Sequence, residues 1–304
     1  IGKAFADGAL ALNLWTRLMI LETSKETRKE VPPNLLEVLT RHKPDIYVNL
    51  MRGNREETPF RIKIIDIETR DHKSRLGHCP GVTLDMLTDG ALALTLEEHR
   101  SMQSFASKLM QTLTKAVKVE ITNPAGTNIS LSVEGREFFT DTRMDWVSMR
   151  WMNLPTGEVM VAPIENSLNG KLVCDMAIGG IGPLKTPLEV QATKGKAEKV
   201  SCKDKEVLAR VEDTFASDEW SNTIGEFAFG INPKARFTQE FLEAEKMIRT
   251  IHIGFGKNDD FPGGKNISKN HMDMLISNPT VNVTMEDGSK INALKEGRFK
   301  QELQ

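Results

Sequence analysis

The spacing of apolar positions changes character near residue 116. Before it, helical and extended patterns alternate. Ala-rich Lys3–Asn13 predicts a helix, and Trp15–Leu21 is an apolar run of strand length. Pro32 and Pro33 suit a helix start, after which Leu35, Leu36 and Leu39 recur at helical spacing. Asp45–Met51 predicts a buried strand, Thr58-Pro59 opens a helix carrying Ile62, Ile65 and Ile67, and Leu76–Pro80 is a short extended run before Gly81. Leu96–Thr114 predicts a long amphipathic helix with Met102, Phe105, Leu109 and Leu113 on one face. Strands alternating with helices of this length predict a parallel sheet covered by helices.

After residue 116 alternation of period two takes over. Val117–Thr122 and Asn128–Val133 flank Asn123-Pro124-Ala125-Gly126, a hairpin signature. Leu172–Ala177, Leu188–Thr193 and Ala197–Ser201 continue the pattern, and Asp287-Gly288 joins Val281–Met285 to Lys290–Leu294. Two helices interrupt it, over Lys205–Phe215 and Thr238–Met247. The expectation is an α/β domain over 1–116 and an α+β domain with a largely antiparallel sheet over 117–304.

Composition narrows the function classes. The 304 residues carry 40 basic and 42 acidic side chains, a formal net charge of -2, which gives no support for a nucleic-acid partner or an acidic membrane surface. The longest apolar stretches fall far short of a membrane span. The three cysteines, Cys79, Cys174 and Cys202, are far apart and form no CxxC pair, so neither a disulfide framework nor a zinc knuckle is expected, and a reducing cytoplasm is the natural compartment.

Five residues of the second half combine metal-ligand chemistry with suggestive placement. His271-Met272-Asp273 puts an imidazole and a carboxylate two positions apart, on one face of a strand. Thr250–Gly256 (TIHIGFG) reads as a strand with His252 between two isoleucines, followed by glycines at 254 and 256 that permit close approach. In Ile224–Gly230 (IGEFAFG) a carboxylate, Glu226, stands inside an apolar run, where burial demands a cation or a proton. Thr156-Gly157 delivers Glu158 to the start of another apolar segment. Each motif alone also fits ordinary strand chemistry: a surface HxD, a half-buried histidine, an edge glutamate. Together they offer mixed oxygen and nitrogen donors suited to zinc, cobalt, manganese or iron.

In order along the chain, Asn153–Val159 (NLPTGEV), Gly225–Pro233 (GEFAFGINP), Thr250–Gly256 and His271–Asp273 resemble the aminopeptidase T (thermophilic leucyl aminopeptidase) metallopeptidase family. A fainter echo covers Glu30–Pro33 and His78–Thr83. The resemblance implies a two-metal site of zinc, cobalt or manganese held by Glu158, Glu226, His252, His271 and Asp273. Glu226 would be shared between the metals, with Glu158 and Glu226 as the catalytic carboxylates. It also implies hydrolysis of the N-terminal residue of a peptide and a homodimer.

The chain departs from that family in two ways. The family carries a tyrosine shortly after the IHIxxG strand, whereas here Lys257, Asn258, Asp259, Asp260 and Phe261 follow, and the single tyrosine is Tyr47. The chain is also shorter, mainly in its first half. Ring-cleaving dihydroxypyridine dioxygenases are a second resemblance. For them the matching set is one ferrous iron on His252, His271 and Asp273, with His78 as a base, and a non-catalytic relative that keeps the fold is the third alternative. Phe261–Lys265 (FPGGK) lacks the spacing of a phosphate loop and reads as a flexible cover between His252 and His271. Met110, Met144, Met149, Met152 and Met160 read as core filling, and Arg143 and Arg150 as surface residues or substrate-carboxylate binders.

Overall fold

The computed structural model describes residues 1–22, 25–71, 73–144 and 151–300. By backbone contacts the chain forms two compact units: Ile1–Ala93 with Met144–Pro155, and Leu94–Arg143 with Thr156–Gln304. The change therefore falls before the helix Leu96–Leu113 rather than at residue 116. The reason is the apolar face of that helix. Its Met102, Ala106, Leu109 and Leu113 are buried in the core of the larger unit. A capping box starts the helix, with Thr95 Oγ1 accepting from Glu98 N and the Glu98 carboxylate accepting from Thr95 N.

The smaller unit holds a three-stranded parallel sheet of Ile46–Met51, Arg75–Pro80 and Trp151–Asn153. Pro33–Arg41 and Thr58–Thr69 are its helices, and Leu35, Leu39, Phe60, Ile64, Ile65 and Leu76 form its core. The run Trp15–Leu21 is not a strand. It has no regular secondary structure, and Trp15 and Ile20 are exposed. Met149 and Arg150 lie outside the described residues, whereas Met160 is buried and Met110 packs against the main core.

The larger unit is two antiparallel sheets. One has eight strands, running in space from Lys196–Cys202 to Arg298–Phe299. The other has seven, and its centre is Glu158–Val161, Ile224–Gly230, Thr250–Gly256 and His271–Ser277, in that spatial order. Alternation assigns the two faces of the seven-stranded sheet. Val159, Phe227, Phe229, Ile251, Ile253, Phe255, Met274 and Ile276 enter the main core, together with Val119, Ile121, Leu131 and Val283 of the eight-stranded sheet. Each fully buried phenylalanine contributes roughly 2–3 kcal/mol. The opposite face of the same four strands carries Glu158, Glu226, His252, His271 and Asp273. The fold is thus a parallel α/β unit joined to a largely antiparallel α+β unit. Among the described residues, no helix is long and apolar enough to cross a membrane.

Candidate metal centre

Strand register brings the acidic and imidazole side chains together. Glu226 pairs with Gly254, and Gly254 with Asp273, so two carboxylates flank a residue without a side chain. A Cβ on Gly254 would lie 2.6 Å from Asp273 Oδ1 and 2.8 Å from Glu226 Cβ. Only glycine fits between them. One step along, Ala228 pairs with both His252 and Met160, and Gly230 with Glu158.

Glu226 is the hinge of the cluster. Its Oε1 lies 3.2 Å from His252 Nε2, and its Oε2 lies 2.9 Å from His271 Nε2. His271 Nε2 also lies 3.0 Å from Asp273 Oδ1, and His252 Nε2 3.7 Å from Glu158 Oε1. His271 Nδ1 donates to the carbonyl oxygen of Lys257 at 2.7 Å, which leaves Nε2 facing the carboxylates. The cluster is closed at its Glu158 end and open at His271, whose side chain is 30% exposed.

Two neighbours join that the sequence reading missed. Glu245 and Lys246 follow a single helical turn, Phe241–Ala244, where a longer helix over Thr238–Met247 was expected. Lys246 is buried, with Nζ 2.7 Å from Glu158 Oε2, 2.9 Å from Glu245 Oε1 and 3.6 Å from Asp141 Oδ2. Asp141 also accepts from the backbone N–H groups of Gly157 and Glu158, fixing the turn that delivers Glu158. Three charges in Glu243–Lys246, just before a buried strand, were the available signal.

The donor atoms form two groups, each spanning no more than 4.8 Å: Glu158, Glu245 and His252, and Glu226, His271 and Asp273. Three of the carboxylates, Glu158, Glu245 and Asp141, share one buried ammonium, whereas Glu226 and Asp273 pair with the imidazoles. Burial opposes charge throughout. It raises Glu158, Glu245 and Asp141 above the usual carboxylate range, against the pull of Lys246. At Glu226 burial also acts upward, but hydrogen bonds and charge from His252 and His271 outweigh it and hold the carboxyl low. At His252 burial acts downward, but Glu158, Glu226 and Asp273 outweigh it and raise the imidazole to about 10. His271 is raised too, chiefly by Asp273 against burial. Glu158 Oε1 is buried without a hydrogen-bond donor. An orphan carboxylate oxygen beside excess negative charge and two imidazoles is a donor set that fits divalent cations.

His78 is not among the converging side chains. It belongs to the smaller unit, where it is buried edge-on to Trp151, and burial followed by the Arg61 charge lowers its imidazole to about 4. The segment after Gly256, expected to be a flexible cover, is tied down at several points. Asn266 Nδ2 donates to the carbonyls of Ile224 and Gly256, Asn258 Nδ2 donates to that of Gly225, and Lys265 N donates to Glu165. Phe261 packs on Phe139, with ring centroids 4.9 Å apart.

Comparison with known proteins follows the same outline. A search of curated proteins gave no match. Among solved structures, 2,5-dihydroxypyridine dioxygenase from Pseudomonas putida KT2440 superposes with a TM-score of 0.67 at 15% identity, over 98% of this chain and 87% of that one. Wild-type AmpT from Thermus thermophilus gives a TM-score of 0.62 at 19% identity, over 98% of this chain and 85% of that one. These likenesses establish the shared fold. The family model for thermophilic metalloprotease (M29) matches residues 95–299, a range that contains both donor groups and most of the sheet beneath them. A matched range this long, enclosing so many ligand-type side chains, makes the chain a metal-dependent hydrolase that belongs to the thermophilic metalloprotease (M29) family.

Proposed function

We propose that the chain is an aminopeptidase that removes N-terminal residues from peptides, using two divalent cations. One is held by Glu158, Glu245 and His252, the other by Glu226, His271 and Asp273, and Glu226 is shared. The observation that carries this reading is the position of Glu226, whose two oxygens face two different imidazoles at 3.2 and 2.9 Å. The donor set suits zinc, cobalt or manganese. Cations bound there would polarise the scissile carbonyl and acidify a water.

The chain's own residues do the rest. Glu226 fixes both imidazoles, and the Lys257 carbonyl fixes the His271 tautomer. A carboxylate oxygen of the cluster left outside the coordination sphere takes the proton of the attacking water and returns it to the leaving amine. Substrate enters at the exposed His271 edge, where Asp273 and Glu226 attract the peptide's terminal ammonium. The working form is a homodimer, as the resemblance implies, in the reducing cytoplasm that the three unpaired cysteines suit.

The test uses matched peptides with free and acetylated N-termini, followed by mass spectrometry. Stepwise loss of single residues from the free peptide, with the acetylated one intact, is expected. Internal cleavage, or no cleavage by protein shown to carry metal, would contradict the reading.

One observation favours a second reading, a ring-cleaving dioxygenase with a single ferrous iron on His252, His271 and Asp273. The one tyrosine, Tyr47, belongs to the smaller unit and donates to the His42 carbonyl, outside the family match. Oxygen uptake with ferrous iron and dihydroxylated rings, without peptidase activity, is its signature.

A further inference from the structure

We propose that Lys246 is a built-in cation that makes the two donor groups unequal. Glu226, His271 and Asp273 bind a divalent ion first, and Glu158, Glu245 and His252 bind one only weakly. This rests on the metal-site reading above and adds an order of filling to it.

A bare glycine on the neighbouring strand places Lys246. The Glu226 strand ends at Gly230, where a Cβ would lie 2.1 Å from the Met247 carbonyl oxygen and 2.9 Å from that of Glu245. The missing side chain lets segment 245–247 lie directly on the strand. Asn232 N donates to Lys246 O at 2.8 Å, and Ile248 N to Asn232 O at 3.2 Å, so the segment is fastened on both sides of Met247. The lysine side chain is only 3% exposed and has no route to solvent as a snorkelling surface lysine would.

Its ammonium then occupies coordination capacity. Glu158 uses Oε2 and Glu245 uses Oε1 to accept from Nζ, at 2.7 and 2.9 Å. An ion binding this group must manage with the remaining oxygens, next to a fixed positive charge in a buried, weakly screening site. The second group differs in both respects. Among the described residues, the ion pairs of Glu226 and Asp273 are with histidines alone, which give up their protons to a metal. It also includes the two ligands that are not fully buried, Asp273 and the more exposed His271, through which an ion can enter. Lys246 supplies at the first group the charge that a second cation would otherwise bring.

The test is zinc titration of chelator-stripped protein against a competing chromophoric chelator. Wild type is expected to bind in two steps whose affinities differ roughly tenfold or more. Asp273→Asn should remove the tighter step and Glu245→Gln the weaker. Replacing the ammonium together with a partner carboxylate, K246M with D141N, keeps the local charge balance and should draw the two affinities together. If that variant fails to fold, as judged by circular dichroism, the assignment of steps by D273N and E245Q in an otherwise native chain decides. Equal affinities in wild type, loss of the tighter step in E245Q, or an undiminished gap in folded K246M/D141N would overturn the proposal while leaving a metal centre in place. No zinc binding by wild type at all would overturn this proposal and the metal-site reading with it.

Discussion

Gly254 carries as much of the site as any charged side chain. With Asp273 Oδ1 and Glu226 Cβ within 2.8 Å of where its Cβ would stand, Gly254→Ala must push two ligands apart without disturbing the core face of its strand. Metal affinity should fall roughly ten- to a hundredfold with little change in circular dichroism. Unchanged affinity would show that Glu226 and Asp273 do not act together. The imidazoles give a second expectation. In the metal-free protein the folded-state pKa of His252 is raised from 6.5 to about 10. Its charged form therefore contributes stability below pH 6.5 that is lost as pH rises through 10. Ligation needs the neutral ring, so zinc binding at pH 7 should release about one proton per imidazole and tighten with rising pH. Calorimetry in buffers of different ionisation enthalpy reads this directly, and an enthalpy independent of buffer would contradict it.

At the scale of elements, period-two alternation located the strands that matter because it reports a physical constraint. A strand with one face in the core must turn its other side chains to the opposite face. The shared face of His271 and Asp273, and that of His252 opposite its two isoleucines, were legible on that ground, while their part in one site was implied only by the resemblance. The Trp15–Leu21 run was not, since apolar residues specify a strand only when a neighbour covers them, and Trp15 and Ile20 are exposed. Glu245 and Lys246 escaped because the spacing predicts one helix over Thr238–Met247, whereas the helix is a single turn and the bare Gly230 lets the following segment lie on the strand. In the smaller unit, Glu68 sits buried on the helix Thr58–Thr69 and accepts from Asn49 at 2.6 Å. Burial, partly offset by Asn49 and then Lys43, raises its carboxyl from 4.5 to about 7. The folded state holds this proton more tightly than the unfolded one. Stability is therefore fullest below pH 4.5 and declines as pH rises toward 7, by on the order of 3 kcal/mol. Glu68→Gln should flatten that slope in denaturant melts at pH 5 and pH 8, and an unaltered slope would refute the assignment.

For the whole molecule, the parallel and antiparallel halves were legible from the change of period, and the division by contacts differs because one amphipathic helix buries its face in the larger unit and Trp151–Asn153 joins the parallel sheet of the smaller one. Three carboxylates around one ammonium, with two more on the imidazoles, leave that cluster short of positive charge. Cations that bind only the folded state should stabilise it by roughly 4 kcal/mol at a thousandfold excess over Kd. Chelator should accordingly lower the melting temperature of wild type and leave Glu226→Gln nearly unaffected. The family match establishes a metalloprotease, and the convergence of both imidazoles on Glu226 makes that residue the centre of the account. The most direct measurement is hydrolysis of amino-acid p-nitroanilides by protein stripped with chelator and reloaded with zinc, cobalt or manganese, beside Glu226→Gln. The account predicts release that appears on reloading and falls at least about a hundredfold in the variant. Reloaded wild type that demonstrably binds metal and releases nothing, or a variant as active as wild type, would contradict it.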